Sequence, residues 1–233
     1  MAKKLSSLSI FFPFYNEEAN IAAQTREALK IAPLFARKWE IILVNDGSAD
    51  KTGEIAQELA KKYPEVRAIS HRQNKGYGAA IKSGLKNCRY DWIFFSDGDR
   101  QFNLKELEKL VEKNDQADLI IGYRQKRADS FIRLANAKLF NFLIRILFGL
   151  KVKDIDCAFK LIKKEVIENI WPLKSDGALV SSELLIKARK KGYKIIEVPV
   201  SHRPRQAGKQ TGANPRVIFK AFYDIAALWK ELK

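Results

Sequence analysis

Asp97-Gly98-Asp99 offers two carboxylates one residue apart, directly after the apolar, strand-like run Trp92-Ile93-Phe94-Phe95. Two hard oxygen ligands at the exposed end of a buried strand can grip Mg²⁺ or Mn²⁺, ions that commonly bring substrate phosphates with them. A metal together with a diphosphate points to nucleotide chemistry. The same residues also suit a plain turn, because Asp-Gly is a common turn pair. Spacing alone leaves both readings open.

Three other polar groups follow apolar runs. Pro13-Phe14-Tyr15-Asn16-Glu17-Glu18 exposes Tyr15 for stacking and carboxylates for hydroxyl or base edges, with Asn16 at a helix-cap position. Asn45-Asp46-Gly47-Ser48 adds Asp46, which suits a ribose or base-edge contact, while Ser48 or Asp50 suits a cap. Gly76-Tyr77-Gly78 resembles the start of a dinucleotide fingerprint, but the third glycine is absent and the segment follows a third strand, not a first. Gly76 and Gly78 instead suit a close backbone approach to a ligand, with Lys75 as phosphate counter-charge; a flexible loop is the plainer alternative.

The elements that must hold these groups alternate. Strands are expected at Leu8–Phe12, Glu40–Val44, Val66–Ile69, Trp92–Phe95 and Leu119–Ile121. Helices are expected from Glu17 to about Ile31, Lys51 to Lys62, Ala79 to Leu85 and Leu104 to Lys113. The alternation predicts an α/β fold, a mostly parallel sheet with helices on both faces. Ligands bind such sheets beyond the carboxyl ends of the strands. Asn16 and Glu17, Asn45 and Asp46, Lys75 and Gly76, and Asp97 and Asp99 then share one rim.

The 233 residues suit one α/β domain, and the 43 Lys and Arg against 27 Asp and Glu give a net charge of +16. Residues 1–125 hold 20 basic and 17 acidic side chains, whereas residues 126–233 hold 23 and 10. The basic field of the second half suggests an anionic partner: nucleic acid, lipid headgroups or a phosphorylated substrate. Two cysteines, Cys88 and Cys157, make no disulfide framework and suggest a reducing compartment. His71 and His202 offer no zinc-like spacing, and no signal peptide or clear membrane span is visible.

Phe131 to Leu150 is very apolar but carries Arg133, Lys138 and Arg145, which argue against a transmembrane helix. A core-facing helix and a helix lying in the membrane interface both fit. A last helix, about Pro215 to Leu232, would place Ile218, Phe222, Ile225 and Trp229 on one face.

In order, FPFYNEEANI, VNDGSADKT, NKGYGAAIKSGL and SDGDRQF resemble the GT-A fold glycosyltransferases of family 2. Further on, KDIDCAFKLIKKEV and KKGYKIIEVPVSHRPRQAGKQTG resemble the branch that includes dolichol-phosphate mannose synthase and bacterial polyprenol-phosphate glycosyltransferases. The resemblance implies one GT-A (Rossmann-like) domain over residues 1–233, with a nucleotide-sugar-binding half to about residue 125. The remainder would be an acceptor- and membrane-facing half with C-terminal amphipathic helices. Pro13, Tyr15, Glu17 and Asp46 would hold base and ribose. Asp97 and Asp99, with Gln101, would hold Mg²⁺ or Mn²⁺ and the donor diphosphate. Arg205 would close over the phosphates, and Asp156 falls where the family places an acceptor-side acid, with Glu183 a second candidate. Gly98 stands where alanine is usual, Arg100 where an apolar residue is usual, and Lys-Gln-Thr follows Gly208 where many relatives have Ser-Lys.

The expected reaction is metal-dependent, inverting transfer of a hexose from a nucleotide sugar of GDP-mannose or UDP-glucose type to a polyprenyl or dolichyl phosphate. The enzyme would be peripheral at the cytoplasmic face of an anionic membrane, attached by peripheral helices, an anchoring partner or residues beyond this sequence. A lipid phosphate is already anionic, so it needs positioning more than a strong base. A family 2 enzyme with a glycan acceptor is the alternative within the class. A basic nucleic-acid-binding protein is the rival from another class, but no reader motif or aromatic-interleaved basic strand supports it, so no nucleic-acid partner is expected.

Overall fold

The computed structural model describes residues 4–125, 142–177, 179–205, 225 and 228–230. Its strands are β1 (Leu5–Phe14), β2 (Ala36–Asn45), β3 (Val66–Ser70), β4 (Trp92–Ser96), β5 (Leu119–Arg124), β6 (Phe159–Lys163) and β7 (Ile195–Val200). Its helices are α1 (Glu18–Phe35), α2 (Thr52–Lys62), α3 (Tyr77–Asn87), α4 (Leu107–Val111, preceded by a 3-10 turn at Leu104–Glu106), α5 (Lys164–Ile170) and α6 (Val180–Lys190).

The seven strands form one sheet in the order β3-β2-β1-β4-β6-β5-β7. All neighbours are parallel except β6, which runs antiparallel to both β4 and β5. The expected mostly parallel α/β sheet is therefore present. Its central strands are apolar on both faces, as strands covered by helices on either side must be. In β1, Ile10, Phe11 and Phe12 are all fully buried, and Phe94 and Phe95 match them on β4. The helices fall into two groups: α1 packs with α2 and α4, while α3 packs with α6, which packs on α5. Phe11 and Phe95 stack with ring centroids 5.1 Å apart. Gly84 of α3 brings its backbone onto the Phe11 ring, where a Cβ would stand 2.2 Å from Phe11 Cδ2.

Two strands were not expected. The second half of the chain supplies β6 and β7 to the same sheet. β6 carries Lys160 in its middle, and β7 carries Glu197 and Pro199, so neither shows a clean apolar run. β1 and β2 are also longer than expected. Their early residues pair through the backbone, with Ser7 opposite Lys38, and backbone pairing does not require apolar side chains.

Beyond the strands, 142–148 is helical. It buries Ile144 completely and leaves Phe142 57%, Ile146 62% and Leu147 38% exposed. The core-facing expectation is met on the side of Ile144, and the other side is apolar and exposed. The expected stretch before it, 131–141, lies outside the described residues. Residues 225 and 228–230 are helical, with Ile225 and Leu228 buried. Trp229 is 37% exposed and so does not share the buried side with Ile225. Ile218 and Phe222 lie outside the described residues. Among the described residues no helix is long and apolar enough to cross a membrane.

Candidate active site

The carboxyl ends of β1, β2, β3 and β4 deliver the polar groups to one rim. Tyr15 to Glu17 follow β1, Asp46 follows β2, His71 follows β3 and Asp97 follows β4. Two loops zip together at its edge. Asn16 adopts a left-handed backbone, with φ 54°. Its N–H donates to Ser48 Oγ at 2.9 Å, and Ala49 N–H donates to Asn16 Oδ1 at 2.8 Å. Asn16 therefore ties two loops and does not cap α1, as its position had suggested. Asp50 accepts from Thr52 N–H at 3.0 Å at the start of α2, the local role expected there.

Asp46 is 3% exposed. Its Oδ1 pairs with His71 Nδ1 at 2.6 Å and accepts from Lys75 N–H at 3.0 Å, and its Oδ2 accepts from Gly76 N–H at 2.9 Å. The carboxylate thus fixes the glycine loop, and the second lone pair of Oδ2 leaves capacity for one more donor. Lys75 holds the loop through its backbone, and its side chain is exposed.

The glycines serve a different neighbour from the expected ligand. A Cβ on Gly76 would stand 2.9 Å from Asp176 O, and one on Gly78 would stand 2.5 Å from Asp176 C. Gly78 N–H donates to that carbonyl at 2.9 Å. The close approach is therefore to the 175–176 backbone of the second half. Glu183 holds this backbone from behind. Fully buried, it accepts from Lys174 N–H at 2.8 Å, Ser175 N–H at 2.8 Å and Lys187 Nζ at 2.6 Å. Burial would raise its pKa, but these donors outweigh that and hold it below the ordinary Glu value. Glu183 is a structural anchor, and the reading of it as an acceptor-side acid is corrected.

Asp97 and Asp99 emerge side by side beyond β4. Burial raises the Asp97 pKa, and the neighbouring Asp99 charge raises it further. Two carboxylates that resist joint ionisation are a site that wants a cation. Tyr77 Oη–H donates to Asp97 Oδ1 at 3.1 Å. Burial, then Asp97, push the phenol pKa well up, so it stays a donor. Asp99 Oδ1 accepts from Gln101 N–H at 3.1 Å, a local turn that passes through left-handed Arg100 at φ 62°. Gly98 has its own reason: a Cβ there would stand 2.3 Å from Cε1 of buried Phe14, so the alanine usual at this position does not fit.

Gln101 Nε2–H donates to Arg203 O at 2.9 Å, and Arg203 N–H donates to Gln101 O at 2.8 Å. These bonds run the 201–205 segment alongside the Asp97–Gln101 loop and deliver Arg205. Its guanidinium pairs with Glu17 and stands 3.8 Å from Asp99 Oδ2. Burial raises the Glu17 pKa, opposed by Asn20 and Arg205. The structure thus brings Glu17, Asp97, Asp99, Gln101 and Arg205 together, with Pro13 and Tyr15 at the end of β1. Among the described residues no group of three or more His, Cys, Asp and Glu forms a metal cage. Two carboxylates with an amide oxygen fit a divalent cation whose remaining ligands are water and phosphate, the usual arrangement for Mg²⁺.

Asp156 is half-buried on the turn before β6. Its charge acts on Tyr77 and on Lys160, the same two groups that feel Asp97. Asp154 beside it is locked by Arg124, whose Nε and Nη2 donate to the two carboxylate oxygens at 2.7 and 2.8 Å. Tyr77, Arg124 and Lys160 were not anticipated. The one visible signal was for Lys160, a lone cation inside the apolar run Ala158-Phe159-Lys160-Leu161-Ile162.

The family described as Glycosyl transferase family 2 matches residues 9–171, a span that contains the Asp97–Asp99 pair and Asp156. The chain belongs to glycosyltransferase family 2. This transferase is 29% identical over 226 residues to undecaprenyl-phosphate 4-deoxy-4-formamido-L-arabinose transferase of Edwardsiella ictaluri (strain 93-146), covering 96% of the chain and 68% of that relative. It is 28% identical over 220 residues to dolichyl-phosphate beta-glucosyltransferase of Saccharomyces cerevisiae, covering 83% and 66%. The chain thus spans about two thirds of these relatives. Glucosyl-3-phosphoglycerate synthase of Mycobacterium tuberculosis, solved with Mn²⁺, UDP and glucosyl-3-phosphoglycerate, shares the fold at TM-score 0.75 and 18% identity, covering 97% of this chain and 80% of that one. The expected GT-A architecture agrees with that neighbour.

Proposed function

We propose that the transferase moves a hexose from a nucleoside-diphosphate sugar to a polyprenyl or dolichyl phosphate, with inversion at the sugar carbon and with Mg²⁺ or Mn²⁺. The observation that carries this reading is Arg205 set between Glu17 and Asp99, which joins a base-side acid, a metal-side acid and a phosphate-binding cation on one rim. The names of the two curated relatives, both polyprenol-phosphate sugar transferases, support the acceptor class.

Pro13 and Tyr15 would pack on the base, with Glu17 and the remaining capacity of Asp46 for base-edge or ribose donors. Asp97, Asp99 and the Gln101 amide oxygen would hold the divalent cation. When bound, the cation neutralises charge that develops on the departing diphosphate. Arg205 adds a fixed guanidinium to the same charge, a contribution that is strong in a site shielded from water. The acceptor phosphate attacks the sugar carbon on the face opposite the nucleoside diphosphate. The new C–O bond forms as the bond to the diphosphate breaks, and the configuration inverts. The attacking oxygen is already ionised, so Asp156 orients the acceptor and need not take a proton. The Lys75 side chain, exposed beside the glycine loop, suits the outer phosphate.

The acceptor is a lipid, so the enzyme would work peripherally at the cytoplasmic membrane face. Exposed Phe142, Ile146 and Leu147, with Arg145 among them, suit an anionic bilayer surface. Incubation with Mn²⁺, radiolabelled UDP-glucose or GDP-mannose and undecaprenyl phosphate tests the reaction. Label should pass to the lipid fraction and require both metal and lipid phosphate. Label that instead enters a glycan, with none in lipid, would overturn the acceptor.

A further inference from the structure

We propose that Lys160 is a positioning residue for the acceptor side: a buried ammonium on β6 that holds the turn before it and so sets Asp156 against the metal-binding pair. Lysine is almost never fully buried without partners. Lys160 is 0% exposed, between Phe159 and Leu161, which are also 0% exposed. An apolar side chain would fill this position, and a charge there costs desolvation energy, so the core itself has no need of it.

Its partners show what it does. Lys160 Nζ donates to Ile155 O at 3.1 Å and to Cys157 O. Both carbonyls belong to the turn that carries Asp156, and Asp154 is fixed on its other side by the two-pronged Arg124 pair. Lys160 and Arg124 therefore clamp the residues on either side of Asp156.

The strand register gives the clamp its place. Lys160 lies opposite Phe95 on β4, two residues before Asp97, and its ammonium is 5.6 Å from the Phe95 ring centroid. This opposition exists because β6 runs antiparallel beside β4, the strand that leads into Asp97. Burial lowers the Lys160 pKa below the ordinary lysine value, and the charges of Asp154, Asp156 and Asp97 oppose that, so the acids of both sides of the rim act on this one buried amine. Tyr77, hydrogen-bonded to Asp97, feels Asp156 as well.

The assignment rests on the proposed acceptor role of Asp156, and its test separates the two. Lys160→Met fills the same volume without charge or donors. Its expected effect is a loss of about 10- to 100-fold in kcat/KM for undecaprenyl phosphate, the range seen when a supporting partner of a site is removed. The thermal shift given by UDP with Mn²⁺ should be retained. An unchanged acceptor kcat/KM, or an equal loss of UDP and Mn²⁺ binding, overturns the proposal. Should Lys160→Met not fold, Lys160→Gln, which keeps an amide donor, is scored by the same contrast between acceptor and donor. A double-mutant cycle with Asp156→Asn completes the test. The double variant should be no worse than Asp156→Asn alone. Losses that multiply overturn the role of Lys160 while leaving Asp156 standing, whereas full turnover by Asp156→Asn overturns the acceptor role of Asp156 and the Lys160 assignment with it.

Discussion

Arg205 Nη2 stands 3.8 Å from Asp99 Oδ2 while the same nitrogen pairs with Glu17, a residue 188 positions earlier in the chain. The contact joins the last described loop to the first turn of the fold. It also places the guanidinium where a diphosphate bound at Asp99 would meet it. Replacing Arg205 by Ala should lower kcat by roughly 10²- to 10³-fold, the scale for losing one preorganised charge-stabilising group. Arg205→Lys should recover part of the loss, because it keeps the charge but not the planar fork. Steady-state kinetics with varied donor checks both. Equal rates for Arg205→Ala and the parent enzyme would remove Arg205 from the site.

Asp97 and Asp99 are like charges held together, and burial already opposes ionisation of Asp97. Asp97→Asn should therefore raise the melting temperature of the metal-free protein. Mn²⁺ with UDP should stabilise the parent, since ligand binding raises stability in proportion to saturation, and the same variant should lose that added stabilisation. Differential scanning fluorimetry with and without Mn²⁺ reads both effects. A full metal-dependent shift in Asp97→Asn and in Asp99→Asn would remove the pair as metal ligands.

Gly98 is dictated by Phe14. Gly98→Ala places a methyl 2.3 Å from the Phe14 ring and should destabilise the fold by about 1–3 kcal/mol, the usual cost of overpacking. Phe14→Leu combined with Gly98→Ala should recover part of that loss, a coupling that urea unfolding of the four variants measures.

Glu183 carries a pH dependence of known sign. Its pKa is held below the ordinary value of 4.5 despite burial, so the folded state binds this proton less readily than the unfolded chain. Its stabilisation is present above about pH 4.5 and is lost as the pH falls through the depressed folded value. Glu183→Gln should cost about 1–3 kcal/mol at pH 7, the penalty for donors left poorly matched. The variant should also lose this acid-labile component. Urea midpoints between pH 3 and 7 provide the comparison, and parallel curves for parent and variant would refute the assignment.

The exposed apolar side of 142–148 predicts lipid binding. Ile146→Asp should weaken cosedimentation with anionic liposomes, and the parent protein should be released as salt rises. Retention that ignores both lipid charge and this substitution would place the contact elsewhere.

The first half of the chain was legible because local signals carry it. Apolar runs for β1, β2 and β4 end in Asn, Asp and Gly, and the rule that ligands sit beyond the carboxyl ends of parallel strands gathers them on one rim. The limits of this reading follow from long-range contact. Gly76 and Gly78 read as ligand-facing because the Asp176 carbonyl that needs their space lies about a hundred residues away. Glu183 read as an acid for chemistry because the backbone donors that bury it are set by how the segment before α6 folds over it. Asn16 looked like a cap because its partners, Ser48 and Ala49, belong to another loop.

By itself the sequence determined the α/β alternation, the rim and the acids on it, since strand and helix periodicity and turn chemistry act over a few residues. Only the tertiary structure decided the place of β6. Its antiparallel insertion between β4 and β5 puts Lys160 opposite Phe95 and the Asp156 turn beside Asp97. That choice depends on pairing of β6 with β4 across more than sixty residues of chain, which no local pattern encodes. The same holds for Arg205, whose partners Glu17 and Asp99 become its neighbours only when the 201–205 segment runs back along Gln101.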